Sequence, residues 1–295
     1  MTESMYFELT IRHHDHAYVE SRGGHAFFSH LRGAPSRCAY RRRALEGAHR
    51  LYHEARDRGD EESRLSGLGL LVLQRALLCA EDLGALLYAL DREDAWQRLT
   101  GYRVPDIEGV FLGVHTDPEQ ALAQFRLPGD QELASELSDC PVALEGAREL
   151  CRRTRLRWLY MLEGVINLWL RNRDVAKATM HGYPVIAGDR AVGTPSAGMI
   201  SDALRDPGVR PFAAALISTV EGSHVTTAVH AVPLDPTAVD SFARNGKLAI
   251  KLVEELCAAQ AGGIERGYGY MLPLEFLARL PEQQREALEG RVGRE

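Results

Sequence analysis

A glutamate and two histidines are spaced so that one face of a helix would present all three. Glu46, His49 and His53 follow one another at intervals of three and four residues, and residues at these intervals lie on the same side of an α-helix. Carboxylate and imidazole groups bind divalent transition metals, and Glu-x-x-His is the element of carboxylate-bridged di-iron bundles. The spacing therefore predicts a metal site at Glu46, His49 and His53.

Such a site needs further ligands from neighbouring helices. The candidates are acids in the two most apolar helical segments, namely Glu81, Asp82 and Glu163. A ferritin-like site needs a second Glu-x-x-His element, and the other occurrence in this chain, Glu221 to His224, spans a predicted turn. The sequence does not decide which residues supply the remaining ligands.

The same helix carries an arginine and a histidine that could act on a phosphate. Arg43, or its neighbour Arg42, precedes His49 in the stretch RRRALEGAH. An arginine can hold a scissile phosphate bidentately while a histidine moves a proton near neutral pH. In an arginine-rich chain the same pair also arises on a solvated helix face.

A polar pair interrupts the apolar run YMLEGVINLWL. Glu163 and Asn167 are four residues apart in it, so we expect both to point into or along the interior of a bundle. A carboxylate buried there would have a perturbed pKa and would mark a pocket, which makes Glu163 a candidate catalytic residue. The alternative is a satisfied structural hydrogen bond.

Arginines on a third helix are candidate nucleic-acid contacts. Arg148, Arg152 and Arg155 share one face, where they could receive phosphates or pair with Glu145 and Glu149. The whole chain has a formal charge of -6, which gives no general attraction to nucleic acid or to an acidic membrane. Any anion binding would therefore be local.

An N-terminal group of histidines could also hold a transition metal. Its members are His13, His14 and His16, with His25 and His30 nearby. On the strand predicted here, His14 and His16 would share a face and His13 would point away. A polar strand surface with adventitious affinity for nickel or zinc is the simpler interpretation.

Cysteine usage and the N-terminal sequence predict a cytoplasmic protein with no membrane partner. The five cysteines are widely spaced and odd in number, which argues against a disulfide framework and predicts buried free thiols. The N-terminus is too polar for a signal peptide. The sequence also lacks a Gly-rich phosphate loop, a Gly-x-Ser-x-Gly elbow and a His-Glu-x-x-His motif.

The apolar periodicity predicts a mainly α fold, a helical bundle with a small β element. Its long helices are expected over residues 36–58, 60–90 and 141–181. We divide the chain into four parts: N-terminal strands (1–35), a bundle core (36–182), a small β insertion (183–234) and C-terminal helices packed on the bundle (235–295). Turns are expected at Gly23-Gly24 in the first part and, within a hairpin, at Gly222-Ser223 in the third. The last part includes two short predicted helices, at 273–280 and 281–289.

The segment LWLRNRDVAKATMHGYPVI carries a long helix through Lys177 to a stop at His181-Gly182 and into a strand. Gly182 supplies a left-handed cap, and His181 lies at the negative end of the helix, where an imidazolium is favoured. With the preceding pair of long helices, over residues 36–186, this passage resembles bacterial proteins of the HEPN-like type. In those proteins a long helix ends in a lysine and a His-Gly element before a strand.

The resemblance implies a bundle of four or five helices that frequently dimerises and acts in RNA binding, RNA cleavage or phage defence. Cleaving members carry an arginine, four to six residues and then a histidine on one helix. Here that spacing occurs at Arg43 to His49, whereas Arg173 to His181 is longer by one residue. The catalytic candidates are then Arg43, His49 and His181.

Three functions stay open. The first is a HEPN-like protein, possible as a homodimer, that binds RNA or a partner protein, with catalysis unproven. The second is a metal-dependent enzyme built on Glu46, His49 and His53. The third is a non-catalytic assembly component. The sequence names no cofactor or substrate.

Overall fold

A computed structural model describes residues 4–12, 16–138, 141–181, 185–188, 212–221, 224–261 and 265–273. The described chain is mainly α-helical and forms a helical bundle, as the periodicity predicts. Its helices are α1 (His16–Arg32), α2 (Ala34–Asp57), α3 (Glu62–Leu90), α4 (Ala95–Gly101), α5 (Val104–Thr116), α6 (Glu119–Ala123), α7 (Asp130–Glu136), α8 (Pro141–His181) and α9 (Pro236–Gln260).

The centre of the bundle is α3, which contacts α2, α8 and α9. Its side chains are buried on most sides, because apolar residues recur on every face of the helix. The fully buried ones include Val72, Leu73, Ala76, Ala80, Leu83, Ala89 and Leu90. None of the helices in the described residues is both long and apolar enough to cross a membrane.

The two helices that carry the candidate site have well-defined ends. Proline occupies the first turn of α2, and Gly59 follows its end at a φ of +70°, in the left-handed region that glycine adopts without strain. The side chain of Asp235 caps α9 by accepting a hydrogen bond from the backbone N–H of Ala238 at 3.0 Å. These ends fix which residues of each helix face one another.

A glycine lets α9 approach α2 and α3 closely. A Cβ atom on Gly246 would lie 2.8 Å from Cδ2 of Leu45 on α2 and 3.0 Å from Cα of Ala76 on α3. Both distances are shorter than an ordinary van der Waals contact between carbon atoms, about 3.5 to 4.0 Å. The contact between the three helices therefore has no room for a side chain larger than the hydrogen of Gly246.

Two antiparallel sheets accompany the bundle. Their strands are β1 (Ser4–Arg12), β2 (Val185–Gly188), β3 (Phe212–Glu221), β4 (His224–Pro233) and β5 (Glu265–Pro273). The first sheet pairs β1 with β5, and the second has the order β2-β3-β4. Glu221 pairs with His224 at the end of the β3–β4 ladder, and the predicted turn residues 222–223 lie outside the described residues.

The N-terminal prediction of strands is correct for β1 and wrong for residues 16–32, which form α1. The reason is a helical spacing within this segment, since Phe27 and Leu31 lie four residues apart and both are buried in the core. The predicted turn at Gly23-Gly24 therefore falls inside a helix.

The C-terminal prediction is confirmed for the helix that begins after Asp235, which is α9, and wrong for the strand that follows it. One of the bundle's long helices is α9, which contacts α2, α3 and α8, so the bundle extends beyond residue 182. Residues 265–273 form β5 and not a helix, because they pair with β1. Apart from Pro273, the predicted short helices at 273–280 and 281–289 lie outside the described residues.

Candidate metal centre

Two of the three predicted metal ligands meet a carboxylate that the sequence did not single out. His49 and His53 lie one turn apart on α2, beside the buried residues Ala48 and Tyr52. Because the core takes those neighbours, the two imidazoles lie at the edge of the bundle, where α2 runs against α9. Asp240 of α9 reaches them there.

The three donor atoms form a nearly equilateral triangle. Nε2 of His49 lies 2.7 Å from Oδ1 of Asp240, Nε2 of His53 lies 2.8 Å from the same oxygen, and the two Nε2 atoms are 3.0 Å apart. Metal ligands at about 2.1 Å and at right angles to one another have donor atoms about 3 Å apart. The triangle matches one face of an octahedral coordination sphere.

The same triangle can hold together without a metal, because Oδ1 of Asp240 can accept a hydrogen bond from each Nε2 atom when both carry a proton. A divalent ion would instead take the lone pairs of two neutral imidazoles and of the carboxylate, and its binding would release those protons.

The carboxylate is ionised, as a metal ligand must be. Burial by itself raises the pKa of Asp240, but hydrogen bonds from His49 and His53 outweigh that effect and lower it. The side chains are partly open to solvent, with exposed fractions of 24% for His49, 27% for His53 and 52% for Asp240. Water or a substrate could therefore reach a bound metal.

The third predicted ligand, Glu46, is not part of the triangle. Its Oε1 atom lies 3.6 Å from Nζ of Lys247 on α9. The metal-ligand cluster found among the described residues consists of His49, His53 and Asp240. The prediction that Glu46 completes this ligand set is therefore wrong. The carboxylate of Glu46 pairs instead with Lys247, which lies two turns beyond Asp240 on α9.

Two acids of α3, Glu81 and Asp82, accept hydrogen bonds from other side chains. Asp82 accepts two hydrogen bonds from Arg41, at 2.7 and 2.9 Å, and Glu81 accepts one from the hydroxyl of Tyr102 at 2.9 Å. Burial raises the pKa of Glu81, and the Tyr102 hydrogen bond only partly offsets this. Both acids are thus bonded to side chains of neighbouring elements and do not join the metal-ligand cluster.

Glu163 does not face the interior, and that prediction is wrong. The buried stripe of α8 passes through Leu162, Val165, Ile166 and Trp169, and Glu163 lies outside it, exposed to solvent. The apolar run is long enough to place one charged residue on the solvent face without interrupting the stripe. Glu163 therefore marks no pocket.

The other predicted catalytic residues do not assemble into a second site in the described part of the chain. Arg43 is exposed on α2, six residues before His49, whose Nε2 is taken by Asp240. Six residues correspond to about 240° of helical rotation, so the two side chains leave different faces. His181 ends α8, and its side chain lies outside the described residues.

The predicted nucleic-acid contacts are paired with acids. Arg152 donates two hydrogen bonds to Glu149, Arg155 contacts Glu119, and Arg148 lies 3.4 Å from Asp130. The pKa of Glu149 is lowered to about 2 by its hydrogen bonds from Arg152 and Arg153. Phosphate binding by these arginines would have to compete with the carboxylates.

The N-terminal histidines are divided by a change of secondary structure. Residues 13–15 lie outside the described residues, whereas His16 begins α1 and His25 and His30 lie within it. The expected strand face shared by His14 and His16 is therefore wrong for His16. The ring of His30 packs edge-on against Trp96, with 6.0 Å between ring centroids.

The chain matches no protein-family model, and it has no significant match among curated proteins or solved structures. Its function must be argued from its own residues.

Proposed function

We propose that this protein is a metal-dependent enzyme in which His49, His53 and Asp240 hold one divalent transition-metal ion. The observation that carries the proposal is the convergence of their three donor atoms, at 2.7, 2.8 and 3.0 Å, across two helices. Two imidazoles and a carboxylate form a ligand set that suits zinc, iron(II), manganese or nickel.

The number of ligands and their exposure favour a catalytic ion over a structural one. Structural zinc sites are closed by four protein ligands, whereas catalytic sites have three and keep a position for water or substrate. In the described part of the chain three ligands converge, and their exposed fractions run from 24% to 52%. The protein side chains would hold the ion against one edge of the bundle and leave its outer side free.

Hydrolysis is the reaction class that this arrangement supports most simply. A metal ion lowers the pKa of a bound water to about 7, which supplies a nucleophile near neutral pH. The reaction needs no redox partner or further cofactor. Asp240 would add a negative charge to the two neutral imidazoles of the ligand set.

Metal analysis of protein purified without a tag tests this proposal. We expect close to one zinc, iron, manganese or nickel ion per chain, and expect the apoprotein to bind zinc in a competition titration with a chromophoric chelator. His53→Gln should lose the ion, while His25→Gln, an exposed histidine of α1, should keep it. Loss of metal from both variants or from neither would contradict the assignment.

The resemblance to HEPN-like proteins stays a prediction, and with it RNA binding, a role in defence, dimerisation and cytoplasmic location. The ratio of absorbance at 260 and 280 nm of the purified protein would reveal bound RNA. A stoichiometric metal without nucleic acid would favour the metal-dependent enzyme. Neither metal nor nucleic acid would favour an assembly component.

A further inference from the structure

A cavity of about 560 Å³ lies away from the metal centre, between α1, α2, α3, α4 and α9. Its volume falls within the range of small-molecule sites, about 300 to 1,000 Å³. The wall is mostly apolar, with Ala85, Leu86, Leu99 and Val253 and the two aromatic rings of Tyr40 and Tyr102. A ligand of this cavity would therefore have an apolar body.

The acidic group at the cavity is already neutralised. Asp82 accepts two hydrogen bonds from Arg41 in a bidentate pair, at 2.7 and 2.9 Å. This pair leaves no net charge. A bidentate pair of this kind also satisfies the carboxylate oxygens that a cationic ligand would need.

The guanidinium of Arg37 also lines the cavity, and no carboxylate among the described residues pairs with its positive charge. Arg37 donates one hydrogen bond, from Nη1 to the backbone carbonyl of His30 at 2.7 Å, and among the described residues it has no ion pair within 4 Å. A guanidinium carries five N–H groups, so most of its donors remain for a ligand. The hydroxyl of Ser36 lines the same cavity.

No other ionisable group at the cavity competes for that charge. Burial, and then the nearby charge of Arg37, lowers the pKa of His30 to about 4, so its ring is neutral at pH 7. Burial raises the pKa of the Cys38 thiol to about 11 and that of Cys257 to about 12. Both thiols stay protonated, and Glu81, which accepts a hydrogen bond from the cavity-lining Tyr102, does not itself line the cavity.

We propose that this cavity binds a small amphipathic carboxylate, with its apolar body among the aliphatic and aromatic side chains and its carboxylate on the guanidinium of Arg37. The donors of Arg37 that its hydrogen bond to His30 leaves over are complemented best by an anionic acceptor. A neutral amide of the same shape could accept a hydrogen bond from Arg37 but would not compensate its charge, and a cation would be repelled by it.

Calorimetric titration of the full chain with octanoate, octanamide and acetate tests this inference without a variant. We expect octanoate to bind with a Kd below about 1 mM, octanamide at least about tenfold more weakly, and acetate without measurable affinity. Equal affinity for octanoate and octanamide, or no binding of octanoate, would overturn the proposal.

Arg37→Gln locates the site. We expect it to weaken octanoate binding by about tenfold or more and to leave octanamide binding unchanged, because it removes a charge-assisted contact. The matched control is Arg50→Gln, on the same helix but 76% exposed and outside the cavity wall, and it should bind octanoate as the parent does. Circular dichroism and zinc binding verify that both variants are folded. Unchanged octanoate affinity in Arg37→Gln would overturn the inference.

Discussion

Nε2 of His53 lies 2.8 Å from Oδ1 of Asp240, although the two residues are 187 positions apart in the chain. The contact links α2 to the second turn of α9. The start of α9 is set by the Asp235 cap, and its middle is held against α2 and α3 at Gly246. Both ligands thus sit on rigid elements, which is the condition for a preorganised metal site.

Asp240→Asn and Glu46→Gln distinguish the observed ligand set from the one predicted by spacing. Asp240→Asn should weaken zinc binding by about tenfold or more, because an uncharged amide is a poorer ligand for a divalent ion than a carboxylate. Glu46→Gln should change the affinity by less than about threefold, since its carboxylate pairs with Lys247. Competition with a chromophoric chelator measures both. The reverse order of effects would restore Glu46 as the ligand.

Gly246→Ala should destabilise the fold and weaken the metal site together. The new methyl group would meet Cα of Ala76 at 3.0 Å, and a helix backbone cannot turn aside as a side chain can. We expect a loss of about 1 to 3 kcal/mol from overpacking, larger than the gain of about 1 kcal/mol from helix propensity. Chemical denaturation gives the free energy of unfolding, and zinc titration reports the displacement of α9.

Gly67→Ala is the matched control for this substitution. Gly67 also lies inside a long helix, α3, but a Cβ atom there would have no neighbour within 4 Å. Helix propensity acts alone, so the variant should be more stable by up to about 1 kcal/mol. Equal effects at the two glycines would show that α9 does not need the close approach.

Glu81→Gln should stabilise the protein near neutral pH and have little effect in acid. Burial raises the pKa of Glu81 in the native state, so the native protein holds this proton more tightly than the unfolded chain. The contribution of Glu81 to the free energy of unfolding is therefore present below the ordinary glutamate pKa. It is lost as the pH rises through the pKa of Glu81 in the native protein. Glutamine avoids that loss and can still accept the hydrogen bond from Tyr102.

The melting temperature of Glu81→Gln relative to the parent should rise by about 1 to 2 °C between pH 4 and pH 7. Glu93 is an exposed loop residue, so Glu93→Gln controls for the general effect of removing one negative charge. A difference that shrinks as the pH rises would contradict the direction of the Glu81 pKa shift.

The long helices could be predicted because their apolar residues recur at helical spacing over many turns. The buried set of α2, with Leu45, Ala48, Tyr52 and Ala55, shows this pattern directly. The strand prediction fails for α1 because its histidines and two adjacent glycines obscure the helical spacing of Phe27 and Leu31. Pairing of β1 with β5 joins segments about 260 residues apart in the sequence, and no local pattern encodes such a partner.

The candidate site could be predicted only as far as one helix extends. His49 and His53 are found by their spacing, which fixes their common face. Asp240 is one of 41 acidic residues, and nothing local distinguishes it from the others. Its role depends on the packing of α9 against α2, a tertiary arrangement set by Gly246 and the surrounding core.

Arg41 and Asp82 should show measurable coupling, whereas Arg50 and Glu54 should show almost none. The first pair is bidentate, at 2.7 and 2.9 Å, and joins α2 to α3 with exposed side-chain fractions of 28% and 36%. The second is a single contact of 3.8 Å within α2, with exposed fractions of 76% and 50%. Double-mutant cycles to alanine should give about 1 kcal/mol for the first pair and below about 0.5 kcal/mol for the second, because solvent screens exposed charges and long side chains lose entropy when they pair. Equal coupling in the two cycles would mean that Asp82 gains nothing from its place between the helices.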